Sequence, residues 1–210
     1  MKNLLIIGAR GFGRDIYYLA LQCQGYTKEY EIKGFLDDKK NALDAFTTYP
    51  PIIDSVENYI IKANDVFICA LGDVQQKKKY IKMITDKGGK FISLIHPTAI
   101  VDSNSKIGTG CIVFQNAALG SGSIVGDFAL IQVSTIIAHD VKIGNYSRVD
   151  CHAVCTGGVE IEDEVTIHTA AIINQKVLVK KGAHVGAGSF VIRKVKENST
   201  VYGNPAIRLK

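Results

Sequence analysis

An apolar residue recurs at every sixth position of this chain from Ile95 to Val191, without one break in register. Sixteen of the 17 positions hold Ile, Val or Leu, and the other holds Cys155. Four residues after each of them stands a small or compact side chain. A helix places apolar residues about 3.6 apart and a flat strand ~2 apart, so this period indicates neither. It is typical of a parallel β-helix built from hexapeptide repeats.

Each hexad of such a helix is a short strand followed by a turn, and three hexads make one triangular coil. Strands of neighbouring coils then stack ~4.8 Å apart, and the 17 hexads make about 5.7 coils. Known hexapeptide helices wind left-handed, so we expect that hand from the class. We also expect the repeat glycines to supply backbone freedom in the turns; they are Gly108, Gly120, Gly126, Gly144 and Gly186.

Composition sets the outer limits for this chain of 210 residues. Its length allows one large or two small domains, and its net charge of +5 suits anionic cofactors without indicating nucleic-acid binding. No apolar run approaches the ~18 residues of a membrane span, so we expect no membrane insertion and a cytoplasmic location. The five cysteines lack metal-like pairing, and Cys111 and Cys155 occupy inward repeat positions. We therefore expect neither disulfides nor a metal.

Residues 1–92 differ from the repeat, because apolar strand-like runs alternate there with glycine turns and helical spacing. The runs are residues 3–7, 31–36, 66–71 and 91–94. The first opens into a glycine turn at residues 8–13 and then a helix, the second ends in Asp37 and Asp38, and the third ends in Gly72. This order predicts a small Rossmann-like domain with a parallel sheet over 1–92, whose ligand meets the carboxyl ends of the strands, followed by the β-helix over 93–210.

The glycine turn is a candidate anion site, because the free N–H groups at a helix N-terminus favour a phosphate or carboxylate. Its glycines, Gly8, Gly11 and Gly13, do not have the G-x-G-x-x-G spacing of dinucleotide sites, which disfavours NAD. From spacing alone the alternative remains that the glycines only make a tight turn and that Asp37 and Asp38 only cap a loop.

Among the five histidines, His139 is the candidate base. It follows Ile137, one of the row of apolar residues at every sixth position, by two positions, which predicts a turn or an outward face. The carboxylate of Asp140 beside it would fix the tautomer of its imidazole. The other reading is an ordinary surface histidine. A zinc site of the hexapeptide carbonic-anhydrase type needs a histidine pair about five residues apart. His152, His168 and His184 lie 13, 29 and 45 residues from His139, so the spacing disfavours zinc.

Six short motifs in one order give the chain a family resemblance: Gly8–Gly13, Phe35–Asp38, Ala70–Gly72, Leu94–Ala99, Ala138–Gly144 and Gly203–Ala206. Over nearly its whole length the chain resembles the sialic acid O-acetyltransferase and nucleotide-amino-sugar N-acetyltransferase family of the hexapeptide superfamily. The resemblance implies a homotrimer, with acetyl-CoA in the groove between neighbouring β-helices and a nucleotide-linked sugar held by the first domain.

The resemblance also implies residue roles. His139 matches the catalytic base and Asp140 its acidic neighbour. Positions that meet the acyl-CoA are Gly157, Thr169 and Ala187, and those of the nucleotide-sugar pocket are Arg10, Gly11, Phe12, Asp37, Asp38 and Gly72. Arg148 stands where many members carry a second histidine, so it would donate to the thioester oxygen or to a CoA phosphate. His168 and Asp73 replace a Gly and an Asn that are common in the family.

The expected activity is direct acetyl transfer from acetyl-CoA to an amine of a nucleotide-linked sugar, with His139 as the general base and no protein nucleophile. Cys155 points inward and nothing marks Cys151 as an activated thiolate, so neither suits that role. The same base would serve O-acetylation of a sugar hydroxyl, as on a sialic acid. A third hypothesis is a non-catalytic trimer that binds sugar nucleotides.

Overall fold

The computed structural model describes residues 1–209. They form two compact units, Met1–Leu94 and the remainder from Ile95 onward. The second unit therefore begins at the first residue of the six-residue row, two positions beyond the boundary drawn from the sequence at residue 92.

The first unit contains a parallel sheet of five strands, which are β1 (Lys2–Ile7), β2 (Tyr30–Leu36), β3 (Ile52–Asp54), β4 (Asp65–Cys69) and β5 (Lys90–Phe91). Their order is β3-β2-β1-β4-β5, and every pair is parallel. The apolar run of β1 is fully buried at the centre of the sheet. The edge strand β3 was not predicted, because three residues carry too little periodicity to mark a strand.

Two helices complete the first unit, α1 (Gly11–Gln22) and α2 (Val74–Asp86). The first begins within the glycine turn, three residues before the predicted helical segment. The side chain of Asp73 caps the second by accepting a hydrogen bond from the Gln76 N–H at 2.8 Å. Within residues 1–209 no helix has the length and apolar character needed to cross a membrane.

The second unit is a parallel β-helix of short strands, in which strands of neighbouring coils pair 18 residues apart. At its end His184 pairs with Thr200 across 16 residues, and the last strand is antiparallel to the one before it. The first face contains β6 (Leu94–Ile95), β9 (Ile112–Val113), β12 (Leu130–Ile131), β15 (Arg148–Val149), β18 (Thr166–Ile167), β21 (His184–Val185), β23 (Thr200–Gly203) and β24 (Ala206–Arg208). The second face contains β7 (Ile100–Val101), β10 (Ala118–Leu119), β13 (Ile136–Ile137), β16 (Val154–Cys155), β19 (Ile172–Ile173) and β22 (Phe190–Val191).

The third face contains β8 (Lys106–Ile107), β11 (Ile124–Val125), β14 (Lys142–Ile143), β17 (Glu160–Ile161) and β20 (Leu178–Val179). The predicted fold class, a small parallel-sheet domain followed by a left-handed parallel β-helix, is confirmed.

The six-residue row forms the core of the β-helix. Every sixth residue from Val113 to Val191 is at most 3% exposed. The small residues four positions after each residue of this row, which lie at the corners of the coils, are buried from Cys111 onward. Their hydroxyls have partners: Ser147 Oγ donates to the Glu162 carbonyl at 2.8 Å. Buried hydroxyls are tolerated in such a core because each is hydrogen-bonded.

Glycine is required at the repeat positions for a different reason from the one predicted. None of the five has a left-handed φ, so backbone freedom is not their function and that expectation was wrong. A Cβ on Gly144 would lie 2.5 Å from the backbone nitrogen of Asp163 in the next coil. The left-handed turn positions are instead filled by residues such as Asp140 and Tyr146, both at φ 59°. Glycine is needed where coils approach too closely for a side chain.

The regular period ends at both ends of the β-helix for structural reasons. Ile95 is 37% exposed because no coil precedes it. After Val191 the last coil is two residues shorter, and Val195 pairs with Val179 across 16 residues. Val195 therefore occupies an interior row position and not the small corner position that the six-residue count assigns to it.

Candidate active site

A cavity of ≈ 230 Å³ lies at the carboxyl ends of the strands in the first unit. Five of the six residues predicted for nucleotide-sugar binding line it: Arg10, Phe12, Asp37, Asp38 and Gly72. The sixth, Gly11, is the first residue of α1 and does not line the cavity.

The glycine turn brings the helix N-terminus to this cavity. Gly8 has φ +98°, which favours glycine, and a Cβ on Gly13 would lie 1.9 Å from the Gly8 carbonyl oxygen. The first turn of α1 therefore packs directly on the end of β1. Arg10 precedes the helix and gives it no side-chain cap, so the N–H groups of the first turn have no partner from that residue. They form a positive end beside the cavity.

The two aspartates at the end of β2 have different surroundings. Both carboxylate oxygens of Asp37 accept backbone hydrogen bonds at 2.8 Å, one from the Ala9 N–H and one from the Lys39 N–H. Asp37 thus holds the glycine turn against the β2 loop. Asp38 is exposed, and its Oδ2 accepts from the Tyr80 hydroxyl.

Tyr80 is a lining residue that the sequence did not point to, and Gln76 is another, one helical turn earlier on α2. The hydrogen bond to Asp38, together with burial, raises the pKa of Tyr80 to about 12, so it remains a donor at neutral pH. No local motif marks it, because Asp38 and Tyr80 are 42 residues apart in the chain.

His139 and Asp140 lie on the turn between the second and third faces. The His139 Nδ1 is 2.9 Å from Asp140 Oδ2, and both side chains are largely exposed. Since a carboxylate only accepts, Nδ1 carries the proton in this pair and Nε2 of the neutral ring is free to accept one. The arrangement is that of a general base whose tautomer is fixed by its neighbour.

Gly157 lies one coil further along the same edge. A Cβ on Gly157 would be 2.5 Å from His139 Nε2, so the imidazole ring covers this residue. The Gly158 N–H also donates to the His139 carbonyl at 3.0 Å, which joins the two turns. The base and Gly157 are direct neighbours.

Arg148 is on the first face, where it is paired with Asp150. The guanidinium donates from Nε to Oδ1 at 2.9 Å and from an Nη to Oδ2 at 2.7 Å. Asp150 is buried, and it also accepts from the Gln132 amide at 3.1 Å. His168 Nδ1 is 3.4 Å from the same carboxylate. Arg148 is therefore held in one geometry by a buried carboxylate that the sequence did not single out.

Thr169 and Ala187 are exposed on turns between the first and second faces. They are 18 residues apart, and the Gly188 N–H donates to the Thr169 carbonyl at 2.9 Å, so they lie in adjacent coils. Within one chain these two residues lie at the edge between the first and second faces and Arg148 lies on the first face, whereas His139 and Gly157 lie at the edge between the second and third faces. The predicted cofactor positions are thus divided between two edges.

The thiols of Cys155 and Cys151 lie in different surroundings. Burial raises the pKa of the Cys155 thiol to about 12, which suits a core residue and not a nucleophile. Cys151 Sγ donates to Gln132 Oε1 at 2.9 Å. Over residues 1–209 no group of three His, Cys, Asp or Glu side chains has the arrangement of a metal site.

Comparison with known families divides the chain in the same way. Residues 3–84 match the family described as the PglD N-terminal domain, and residues 90–186 match the GMPPB C-terminal domain. The chain is 28% identical to a GDP-perosamine N-acetyltransferase of Escherichia coli O157:H7, over 98% of this chain and 95% of that one.

Solved structures are similar to this chain over its full length. The acetyltransferase domain of PglB from Neisseria gonorrhoeae, in complex with acetyl coenzyme A, superposes with a TM-score of 0.90 at 27% identity over 99% of each chain. Over its full length the chain is thus similar to nucleotide-amino-sugar N-acetyltransferases built on hexapeptide repeats. PerB from Caulobacter crescentus, with CoA and GDP-perosamine, has the same fold, with a TM-score of 0.89 at 21% identity over 100% of this chain and 98% of that one.

Proposed function

We propose that this protein transfers the acetyl group of acetyl-CoA to the amine of a nucleotide-linked amino sugar. The observation that carries the proposal is the pairing of His139 with Asp140, which leaves Nε2 as the acceptor nitrogen of a largely exposed side chain on the β-helix. The full-length similarity to a GDP-perosamine N-acetyltransferase supports the choice of an amine acceptor over a hydroxyl.

In this mechanism the sugar amine attacks the thioester carbonyl, a C–N bond forms and the C–S bond breaks. His139 Nε2 accepts the amine proton, and Asp140 stabilises the resulting imidazolium through Nδ1–H. The proton then returns to the departing CoA thiolate. No covalent acyl-enzyme is required, and holding both substrates in reacting geometry supplies much of the remaining acceleration.

We assign the nucleotide part of the acceptor to the cavity of the first unit. The N-terminal end of α1 and Arg10 suit the phosphates, because both present positive charge there. The free oxygen of Asp38 and the Tyr80 hydroxyl suit donor and acceptor groups of the ribose or base. Asp37 supports this pocket by fixing the glycine turn, since both of its oxygens already accept backbone hydrogen bonds.

We further propose that the working form is a homotrimer. The outward residues of the second face are all apolar: Ile100, Ala118, Ile136, Val154, Ile172 and Phe190. Ile100 is 71% exposed and Ile136 47%. A stripe of this kind favours burial against another copy. Because Thr169 and Ala187 border one edge of this face and His139 the other, neighbouring copies can together complete a cofactor groove.

A cytoplasmic location fits the proposed chemistry and the five free cysteines, four of them buried, which suit a reducing compartment.

The proposal is tested by thiol release from acetyl-CoA against UDP-, GDP- and dTDP-linked 4-amino sugars, CMP-sialic acid and free sialic acid. We expect release with one of the amino sugars and an alkali-stable amide product. An alkali-labile product formed only from sialic acid would indicate O-acetylation, and no release with any acceptor would favour a binding protein.

His139→Ala should lower turnover at least ~100-fold while the protein stays folded, because general-base assistance of this type contributes about 10² to 10⁴. Circular dichroism and thermal melting check the fold. Near-normal thiol release by this variant would remove His139 from the mechanism.

A further inference from the structure

The imidazole of His139 occupies the space that a side chain of residue 157 would fill. A Cβ built on Gly157 would lie 2.5 Å from Nε2, 2.6 Å from Cε1 and 3.2 Å from Cδ2 of the ring. Real Cβ atoms do not approach other atoms to 2.5 Å, so ring and side chain exclude one another. The edge that meets Gly157 is the one that carries the free nitrogen.

The backbone does not explain this glycine. Gly157 has no left-handed φ, whereas its neighbour Gly158 has φ +69°. The position of Gly158 recurs in this corner of every coil and is filled by Asp140 and Lys176 as well, at φ 59° and 58°. The position of Gly157 is filled by Gln175 in the next coil, by His139 itself in the preceding coil and by Ser121 one coil before that. The site lacks a side chain only where the ring lies.

Two contacts then fix the base. Asp140 Oδ2 accepts from Nδ1 at 2.9 Å and sets the rotation of the ring about its own axis. Gly157 allows the opposite edge to lie against the next coil, and the Gly158 N–H holds the His139 backbone at 3.0 Å. With a side chain at residue 157 the ring would have to turn outward and lose its contact with Asp140.

We infer that Gly157 is the positioning residue for His139, setting the direction in which Nε2 is presented to the amine. This inference rests on the proposed role of His139 as the base. It differs from a role for Gly157 as a contact to the acyl-CoA, because it acts on the protein's own side chain and leaves cofactor binding unchanged.

The substitution Gly157→Ala tests whether Gly157 positions His139. His139 is largely exposed, so its ring can swing into solvent and the added methyl should cost function more than stability. We expect turnover to fall about 10- to 100-fold, since small misplacements of reacting groups have effects of this size. KM for acetyl-CoA and the affinity for CoA, measured by calorimetry, should stay within about twofold of wild type.

A readout independent of activity comes from the ring nitrogens of His139 in ¹⁵N NMR. Wild type should show the Nδ1–H tautomer held by Asp140, and Gly157→Ala should lose that preference. Gly186→Ala is the matched control, because its Cβ would lie 2.6 Å from the Tyr202 ring, away from His139, and its φ is likewise not left-handed. It should leave the His139 signals unchanged.

Wild-type turnover in Gly157→Ala would overturn the inference. Weaker CoA binding with unchanged His139 signals would also overturn it, in favour of a direct cofactor contact. If Gly157→Ala does not fold, adding His139→Ala should restore folding by removing the clash, and failure to do so contradicts the inference. If the wild type transfers acetyl to no acceptor, the proposed function fails, while the NMR comparison still decides the role of Gly157.

Discussion

At the scale of single residues, neighbours in the sequence have different surroundings and so different uses. Asp37 and Asp38 are adjacent, yet the oxygens of Asp37 accept two backbone hydrogen bonds at 2.8 Å while Asp38 faces Tyr80 and solvent. A carboxylate that already accepts hydrogen bonds from backbone amides gains little from a ligand. We therefore expect Asp38 to contact the ligand and Asp37 to maintain the shape of the pocket.

Tyr80→Phe tests this division within the pocket. Loss of the hydroxyl removes a charge-assisted hydrogen bond to Asp38 and a donor that lines the cavity. We expect KM for the nucleotide sugar to rise about fivefold or more, with KM for acetyl-CoA unchanged.

Tyr202→Phe is the control for this change, because Tyr202 lies in the β-helix unit and is exposed. A rise in KM for acetyl-CoA after Tyr80→Phe, or no change in either constant, would contradict the assigned role of Tyr80.

At the scale of elements, the outward residues of the first face form a charged cluster beside its buried carboxylate. His184 lies on β21 between Thr166 and Thr200, and its ring stacks on that of His168 at 6.1 Å. Burial first, and then the nearby His168 and Arg148, lower the pKa of His184 below 6.5. The carboxylate of Asp150 is already held by Arg148 and lies 3.4 Å from His168 Nδ1.

This shift predicts how acid affects the β-helix. The folded state favours neutral His184, so the unfolded chain binds its proton more readily and stability from this group rises with pH. The contribution is fully present above the unfolded pKa of ~6.5 and is lost as pH falls below it. Between pH 7.5 and 5.5 the melting temperature of His184→Gln should therefore fall by less than that of wild type. Equal losses in scanning calorimetry would contradict the prediction.

At the scale of the whole molecule, the faces of the β-helix differ in what they present outward. The second face is apolar throughout, whereas the third carries Lys106, Lys142 and Glu160, with Lys142 and Glu160 paired at 2.9 Å. Charged outward rows suit solvent and apolar ones suit a protein partner. The proposed trimer therefore forms along the second face, which has His139 and Gly157 at one edge and Thr169 and Ala187 at the other.

Ile172→Glu tests the trimer. A charge in the centre of the apolar stripe should dissociate the assembly and abolish acetyl transfer, because an unpaired charge is costly to bury. The chain should keep the circular dichroism spectrum of a β-sheet protein. Analytical ultracentrifugation measures the state of assembly.

Ile124→Glu is the matched control for Ile172→Glu: Ile124 is 43% exposed against 41% for Ile172, but it lies between Lys106 and Lys142 on the third face. It should leave the trimer intact. Equal effects of the two substitutions would remove the second face as the interface.

The six-residue period by itself determined the β-helix, its interior row and the outward position of residue 139, because one apolar residue per hexad can be buried only if the strands stack in coils. The alternation of strands and glycine turns likewise predicted the parallel sheet and a ligand position at the carboxyl ends of its strands. These features follow from local spacing, which a single sequence displays, whereas the five predicted residues that line the cavity were named from the family resemblance.

Only the tertiary structure decided which atoms meet. Tyr80 reaches Asp38 across 42 residues, a contact that no spacing rule encodes, and only the fold shows that the Asp150 carboxylate that holds Arg148 is buried. Four of the five repeat glycines leave room for the backbone of the next coil, Gly186 leaves room for the Tyr202 side chain, and Gly157 leaves room for the ring of His139. Steric fit between coils depends on distances of a few ångströms between residues that are far apart in the chain, and those distances exist only in the folded protein.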